Sequence, residues 1–406
     1  MIHSFSCHNF YSFKDLTKVD FVVNKKAPIN NSYFITETGS RLSKIETVIG
    51  PNASGKTNLL KVIPFLRWFI VHSFEIDIEK NLPVKSFFYG DSEKKPTYFA
   101  VVFQIENKIY EYSVILDSKI IKKEELKVRV KNIKKTSTKK LFTREWDPIN
   151  KKYKLSARNF NLPKVVDASQ LQNKASLICT AARSNHKESQ EIINFWRKIE
   201  TNVIEIGWLG DSYSKDKGTQ FYRAVNFYNN PQNKIIKERV EELLSQFDLG
   251  LNSFNIEKDE KEGEAFLRLN FNHSFGGEIK LLPFIYESSG TKQLFIILKS
   301  ILSVLNNGGI IVLDEFDASL HPSIVLKIFE LFIHPETNPN NAQIIFSTHN
   351  HQILNSLDKY QIILVEKNNE GVSEAWRLDE MGSEVRIDDN FYAKYIAGTY
   401  GGIPKI

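Results

Sequence analysis

Apolar positions along the chain change their period several times, and each change marks an element. Met1–Phe13 is rich in aromatics and alternates, which predicts a strand, and Asn24–Ser32 is a polar loop. Ile45–Ile49 is a short β-branched run that stops at Gly50, and Asn58–Ile70 spaces its apolar residues as a helix does. Strand, glycine loop and helix therefore follow one another. Tyr98–Phe103 and Ile109–Val114 alternate apolar and polar within a stretch, 97–130, that predicts an antiparallel meander. Residues 186–202 and 232–247 predict helices; the second, opening near Pro231, puts Ile235, Ile236, Val240, Leu243 and Leu244 on one side. Alternation returns over 265–284. Thr291–Leu305 is an apolar helix, followed by Gly309–Leu313, an unbroken apolar run of the kind buried in parallel sheets. Val325–Ile333, Ala342–Ser347 and Gln361–Glu366 continue as helix, strand and strand. No heptad pattern persists, so a long coiled coil is not expected.

Composition narrows the class. At 406 residues the chain holds two to three domains, or one large domain with insertions. With 42% hydrophobic and 25% charged residues it is neither disordered nor collagenous. Two cysteines, Cys7 and Cys179, exclude a disulfide framework and a cysteine-rich zinc module. No apolar run reaches the roughly 18 residues of a membrane span; Phe65–Phe74, the best stretch, is broken by Arg67 and His72. With no leader-like opening, a reducing cytoplasm is the expected compartment. Net charge is +6, unevenly spread: Lys119–Arg158 holds 15 lysines and arginines against 4 acids, a local +11 that leaves −5 for the remainder. Such a segment could face nucleic-acid phosphates, or be a solvated meander with lysine-blunted edges.

The chemistry concentrates in four motifs. Gly50-Pro51-Asn52-Ala53-Ser54-Gly55-Lys56-Thr57 matches GxxxxGK[ST], between the predicted strand and helix that the pattern requires. Glycines let backbone N–H groups turn inward around phosphate oxygens, and the helix N-terminus adds partial positive charge. Asn52, Ala53, Ser54, Gly55, Lys56, Thr57 and the next residue, Asn58, are thus candidate nucleotide contacts. Lys56 would reach the β- and γ-phosphates, and Thr57 would offer its hydroxyl to Mg²⁺. Asp314 and Glu315 end the apolar strand Ile310–Leu313. Asp314 suits Mg²⁺, and Glu315 suits polarisation of an attacking water. Glu287-Ser288-Ser289-Gly290-Thr291 opens the apolar helix, either as an N-cap or as a second anion site. Phe346-Ser347-Thr348-His349 ends a strand in a histidine that could contact a γ-phosphate. His334, His349 and His351 lie close in sequence, but without a cysteine pair or acid cluster they make no convincing metal site.

The order of these motifs, with Asp317-Ala318-Ser319-Leu320-His321 after the acidic pair, resembles an ABC-type ATPase head of the RecF/SMC/OLD branch. Ser6-Cys7-His8-Asn9-Phe10-Tyr11-Ser12-Phe13 is similar to the opening strand of such heads, with Tyr11 in place of the usual basic residue. Ser289 stands where the signature's first glycine is usual, and His321 where an aspartate is usual. Gln104 is a candidate for the Q-loop. Tyr395-Ile396-Ala397-Gly398-Thr399-Tyr400-Gly401-Gly402-Ile403-Pro404 resembles the ending of the AAA-fifteen group of stand-alone bacterial ATPases, among them phage-defence ATPases of PARIS-like or Rlo-like systems.

The resemblance implies an α/β fold: a P-loop NTPase head with an antiparallel β-meander lobe and a helical insertion. Its expected parts are an N-terminal lobe, 1–180, a helical insertion, 181–250, and a C-terminal lobe, 251–406. It implies ATP and Mg²⁺ as cofactors, Glu315 and His349 as catalytic residues, and Thr57 and Asp314 at the metal. Ser288 and Gly290 would reach the nucleotide of a second copy, in a homodimer closed around ATP. It further implies an effector partner, a nuclease of TOPRIM-like type, in an abortive-infection system. A RecF-like repair ATPase and a nucleotide-dependent scaffold with little turnover are the alternatives.

Overall fold

The computed structural model describes the chain except residues 78, 133–134, 167–170, 204–219, 248–249, 262–263 and 404–406. In its first half the strands are β1 (Ile2–His8), β2 (Thr17–Asp20), β3 (Tyr33–Ile35), β4 (Arg41–Ser43), β5 (Ile45–Ile49), β6 (Thr97–Ile105), β7 (Lys108–Leu116), β8 (Ile121–Asn132), β9 (Lys135–Asp147) and β10 (Lys152–Ser156). The second half adds β11 (Ile199–Thr201), β12 (Leu251–Lys261), β13 (Glu264–Phe275), β14 (Glu278–Pro283), β15 (Ile310–Leu313), β16 (Gln343–Ser347), β17 (Ile362–Lys367) and β18 (Ser373–Arg377).

A central six-stranded sheet has the order β11-β15-β16-β5-β17-β18, parallel except for the last strand. Every residue of β5, β15 and β16 is buried, as their near-continuous apolar sequences require of strands covered on both faces. Alternation along these strands divides the interior in two. Ile310, Val312, Ile345, Ile363 and Val365 face one core. It is completed by the helix Val62–His72 and by the seven-stranded antiparallel sheet β10-β9-β8-β7-β6-β1-β2. Ile311, Leu313, Ile344, Phe346, Ile362 and Leu364 face the other core, against the helices Ser289–Asn307 and Pro322–Ile333. A three-stranded sheet, β12-β13-β14, packs beside the helix Lys234–Phe247.

The P-loop helix starts at Lys56, two residues before its apolar period, and comes in two pieces, Lys56–Leu60 and Val62–His72. Pro64 accounts for the break: it has no N–H to give to the Leu60 carbonyl four residues earlier. The helix expected over 186–202 ends at Arg197, and Ile199–Thr201 instead joins the central sheet as β11. A helix at Gln220–Asn229 and the strands β12 and β18 add to the elements the periodicity predicts. The opening strand ends at His8. Phe10 and Phe13 then close a tight turn with mutual backbone bonds of 2.8 and 2.9 Å, entered through Asn9 at φ 54°. Among the described residues no helix is long and apolar enough to cross a membrane.

The basic segment forms β8, β9 and β10. Six of its cations, Lys122, Lys127, Arg129, Lys140, Arg144 and Lys154, make ion pairs with acids. Most of the partner acids belong to the segment itself; only Glu111 and Asp117 come from outside it, so the ribbon keeps most of its net positive charge.

Candidate nucleotide-binding site

Register places the site. Leu313 pairs with Phe346, and Phe346 pairs with Thr47, so β15, β16 and β5 end at one level. Ligands of open parallel sheets bind at this carboxyl edge. The loops leaving the three strands carry Gly50–Thr57, Asp314–Glu315 and Ser347–His349, which thereby become neighbours although the chain separates them widely.

The glycine loop is held close to the sheet. A Cβ on Gly50 would lie 2.0 Å from the Val365 carbonyl oxygen, so only glycine fits. Gly55, at φ 117°, caps the helix in a conformation that favours glycine, and a Cβ there would meet Ser373 Oγ at 2.5 Å. Ala53 also has a positive φ, 61°. The Ser54 hydroxyl is buried without a hydrogen-bond partner. Lys56 Nζ donates to the carbonyls of Gly50 and Pro51 at 2.8 and 2.9 Å. Burial lowers the Lys56 pKa, against the opposing pull of Glu315 and Asp314. Asn58 donates from Nδ2 to Ser12 Oγ at 2.9 Å, tying the loop to the opening turn.

Thr57 Oγ1 donates to Asp314 Oδ2 at 2.7 Å. Ser347 Oγ donates to Asp314 Oδ1 and accepts from the Glu315 backbone N–H at 3.0 Å. Asn202 braces Asp314 through its backbone, accepting from its N–H at 2.7 Å and donating to its carbonyl at 2.8 Å. Glu315 sits at φ 45°, sparsely populated by non-glycine residues, and such strain gathers at functional sites. Its Oε1 lies 2.9 Å from His349 Nε2, with both side chains well exposed. Thr348 donates to buried Asp317, whose carboxyl burial pushes above its ordinary range. Three consecutive residues at the end of β16 thus each hold one of the acids that follow β15.

These groups open onto a cleft of about 960 Å³ lined by Asn52–Asn58, Tyr11, Ser12, Phe87, Phe88, Tyr89, Glu315, His349, Lys367 and Gly371. Ser288 and Gly290 do not line it. Ser288 Oγ accepts from the Thr291 N–H at 3.0 Å and caps the helix Ser289–Asn307, and Gly290 packs against the Ser319 carbonyl. His321 caps the next helix through Nδ1, which accepts from the Ser323 N–H. Gln104 is not a cleft residue either. It is buried on β6, where its Oε1 meets His3 Nε2 and accepts from Thr38 Oγ1, and its Nε2 donates to the Glu106 carbonyl. The signature was weak there: a glutamine inside a strand pattern reads as well for an internal bridge.

The donor set suits a nucleotide with its magnesium. Positive-φ residues and an orphaned buried hydroxyl form the phosphate-sized turn. Thr57 and Asp314 present adjoining oxygens, and among the described residues no group of three or more His, Cys, Asp or Glu could hold a metal by itself. Mg²⁺ is ordinarily bound in this way, by one or two protein oxygens completed by substrate phosphates. Ser347, Asn202, Ser12 and the aromatics 87–89 escape a sequence reading, because nothing in their local pattern shows which loops the sheet brings together.

No curated protein matches the sequence. Among solved structures, the SMC head domain from Thermotoga maritima is 14% identical, with a TM-score of 0.42 over 93% of this chain and 98% of that one. The Smc head domain with a coiled coil and joint from Pyrococcus yayanosii is 11% identical, with a TM-score of 0.47 over 98% and 99%. The mixed α/β architecture places its P-loop at the carboxyl edge of a parallel sheet with an antiparallel sheet alongside, as a P-loop NTPase does. Residues 47–355 match the family described as "AAA domain, putative AbiEii toxin, Type IV TA system", and the chain belongs to that family.

Proposed function

We propose that the chain binds and hydrolyses ATP, and that the nucleotide state controls an effector in bacterial anti-phage defence of the abortive-infection kind. The observation that carries the ATPase reading is the convergence of Thr57, Asp314, Glu315 and His349 at the ends of neighbouring strands. The loop N–H groups of 52–57 would hold phosphate oxygens, and Lys56 would exchange its carbonyl partners for them. Thr57 and Asp314 would hold Mg²⁺, which when bound neutralises charge on the β- and γ-phosphate oxygens. Glu315 would orient the attacking water and take its proton. His349, bonded to Glu315, would fix that carboxylate and meet the γ-phosphate. Ser288 and Gly290 are free of this cleft, as residues serving a second copy's nucleotide would be. The defence role rests on the family's description and on the resemblance of the C-terminal segment, of which Pro404 lies outside the described residues. The division into lobes at 180 and 250, the cytoplasmic compartment and a nuclease partner belong to the same proposal.

The test is nucleotide binding and turnover in two variants. Lys56→Ala is expected to weaken ATP affinity at least ten-fold. Glu315→Gln is expected to bind ATP as the wild type does and to hydrolyse it at roughly a hundredth of the rate or less. Undiminished turnover by Glu315→Gln would overturn the role of Glu315; unchanged affinity in Lys56→Ala would overturn that of the P-loop.

A further inference from the structure

The cleft has a second chemical character beyond its phosphate turn. Phe88 and Tyr89 are 63% and 62% exposed, yet they stack on each other with ring centroids 4.9 Å apart and planes at 27°. Phe87, beside them, is buried, its ring 5.5 Å from that of Tyr89. All three line the cleft that holds the P-loop. Single exposed apolar residues are ordinary, but a paired aromatic surface next to a candidate ligand cleft is a feature to explain.

The segment that carries them is fixed by one buried side chain. Asn9 Oδ1 accepts from the Phe87 N–H at 3.2 Å. Its Nδ2 donates to the carbonyls of Ser92 and Lys95 at 3.0 and 2.9 Å, with Pro96 at 3.3 Å. Tyr11, two residues on, donates its N–H to the Lys85 carbonyl at 3.0 Å. Its ring lines the same cleft and carries Lys61 Nζ at 4.3 Å from its centroid. The opening turn therefore grips the 85–96 segment from both sides, and Asn58 ties that turn to the P-loop helix. Phosphate turn and aromatic surface are parts of one braced unit.

We propose that Phe88 and Tyr89 form the stacking platform for the purine base of the bound nucleotide, with Asn9 as the residue that positions it. The proposal rests on the reading of the cleft as a nucleotide site and adds the subsite for the base. The faces of aromatic rings attract the face of a base without reading its edge, so the platform supplies affinity. Asn9 touches no ligand; it acts through Phe87.

Calorimetric titration of the full chain with Mg·ATP and with Mg·tripolyphosphate separates the two layers. The double variant Phe88→Ala/Tyr89→Ala is expected to bind ATP roughly ten- to a hundred-fold more weakly and to bind tripolyphosphate as the wild type does. Both residues are exposed, so its melting temperature should stay close to that of the wild type. Phe88→Trp should keep ATP affinity, and its fluorescence should change when ATP binds. Asn9→Ala should lower ATP affinity while sparing tripolyphosphate, a split that general destabilisation would not produce. If the wild type binds ATP and the double variant binds it equally well, the platform is wrong and the exposed pair serves a protein partner. If the variant loses both ligands in parallel, base stacking is likewise overturned. Binding of neither ligand by the wild type would overturn the nucleotide reading itself.

Discussion

At the scale of single residues, Ser347 has the most leverage per atom. Its one hydroxyl donates to Asp314 and accepts from the Glu315 N–H, and it is fully buried. Groups that orient a metal ligand commonly matter ten- to a hundred-fold to activity. Ser347→Ala is therefore expected to lower ATP turnover by about that factor, while ATP binding without Mg²⁺ stays unchanged in a filter or calorimetric assay. Glu46, on β5, makes a different prediction. Neither carboxyl oxygen has a hydrogen-bond partner, and the nearby Ser43 hydroxyl donates to the Ile45 carbonyl at 2.7 Å instead. Burial pushes the Glu46 pKa well above the carboxylate range, against the pull of Arg377. The folded state then binds the proton more tightly than the unfolded chain, so stability is lost as pH rises above the ordinary carboxylate value. Glu46→Gln should match the wild type near pH 4 and melt a few degrees higher at pH 8. A wild type whose melting point does not fall relative to Glu46→Gln over that range would contradict it. Lys56, Thr57, Asp314, Glu315 and His349 were legible because each ends or follows an apolar strand at a motif spacing. Ser347 was visible as a letter in its motif, but its two bonds depend on β16 lying between β5 and β15.

At the scale of elements, the antiparallel sheet is braced by a charge inside it. Arg144 on β9 and Glu124 on β8 are both wholly buried, with Nε 2.7 Å from Oε2, though that N–H is not aligned for a hydrogen bond. Glu124 also accepts from the Tyr112 hydroxyl at 2.7 Å and from the Leu177 N–H at 3.1 Å, and Arg144 donates to the Ala175 carbonyl. The pair thus staples the meander to the helix Leu177–Arg183. Removing one member of a buried pair strands the other's charge, at about 3–5 kcal/mol. Glu124→Ala should lower the melting temperature sharply, and Glu124→Gln, which keeps the acceptor for Tyr112, should lower it less; equal melting points for all three would refute the staple. Elements with strong periods, such as Thr97–Ile105 and Ser289–Asn307, were legible from sequence. Ile199–Thr201 was not: three residues cannot display a period, and what makes them a strand is the free edge of β15. The basic ribbon was legible as a meander, whereas the pairing of Arg129, Lys140, Arg144 and Lys154 depends on cross-strand register.

At the scale of the whole molecule, the chain folds its two halves through one sheet. β5 comes from the first half, β15 to β18 from the second, and each face of the sheet has its own core. The order of motifs was legible in the sequence, but the interleaving was not, because it is made of long-range parallel pairings. If Ser288 and Gly290 complete a second copy's site, assembly must follow nucleotide state. Glu315→Gln with ATP and Mg²⁺ should elute at twice the 46.9 kDa of one chain in light scattering, and at one chain's mass without nucleotide. A monomer that holds ATP would exclude the closed dimer.

The end of β16 has a consequence for how such a sequence can change. Ser347, Thr348 and His349 each meet a different acid, and a strand displaced by one residue turns every side chain to its opposite face. Inserting or deleting a single residue within Gln343–His349 would therefore dismantle three contacts at once, even with every chemical group retained. The same change beside exposed Glu336 would leave them standing. In this part of the chain the number of residues matters to the site as much as their identity.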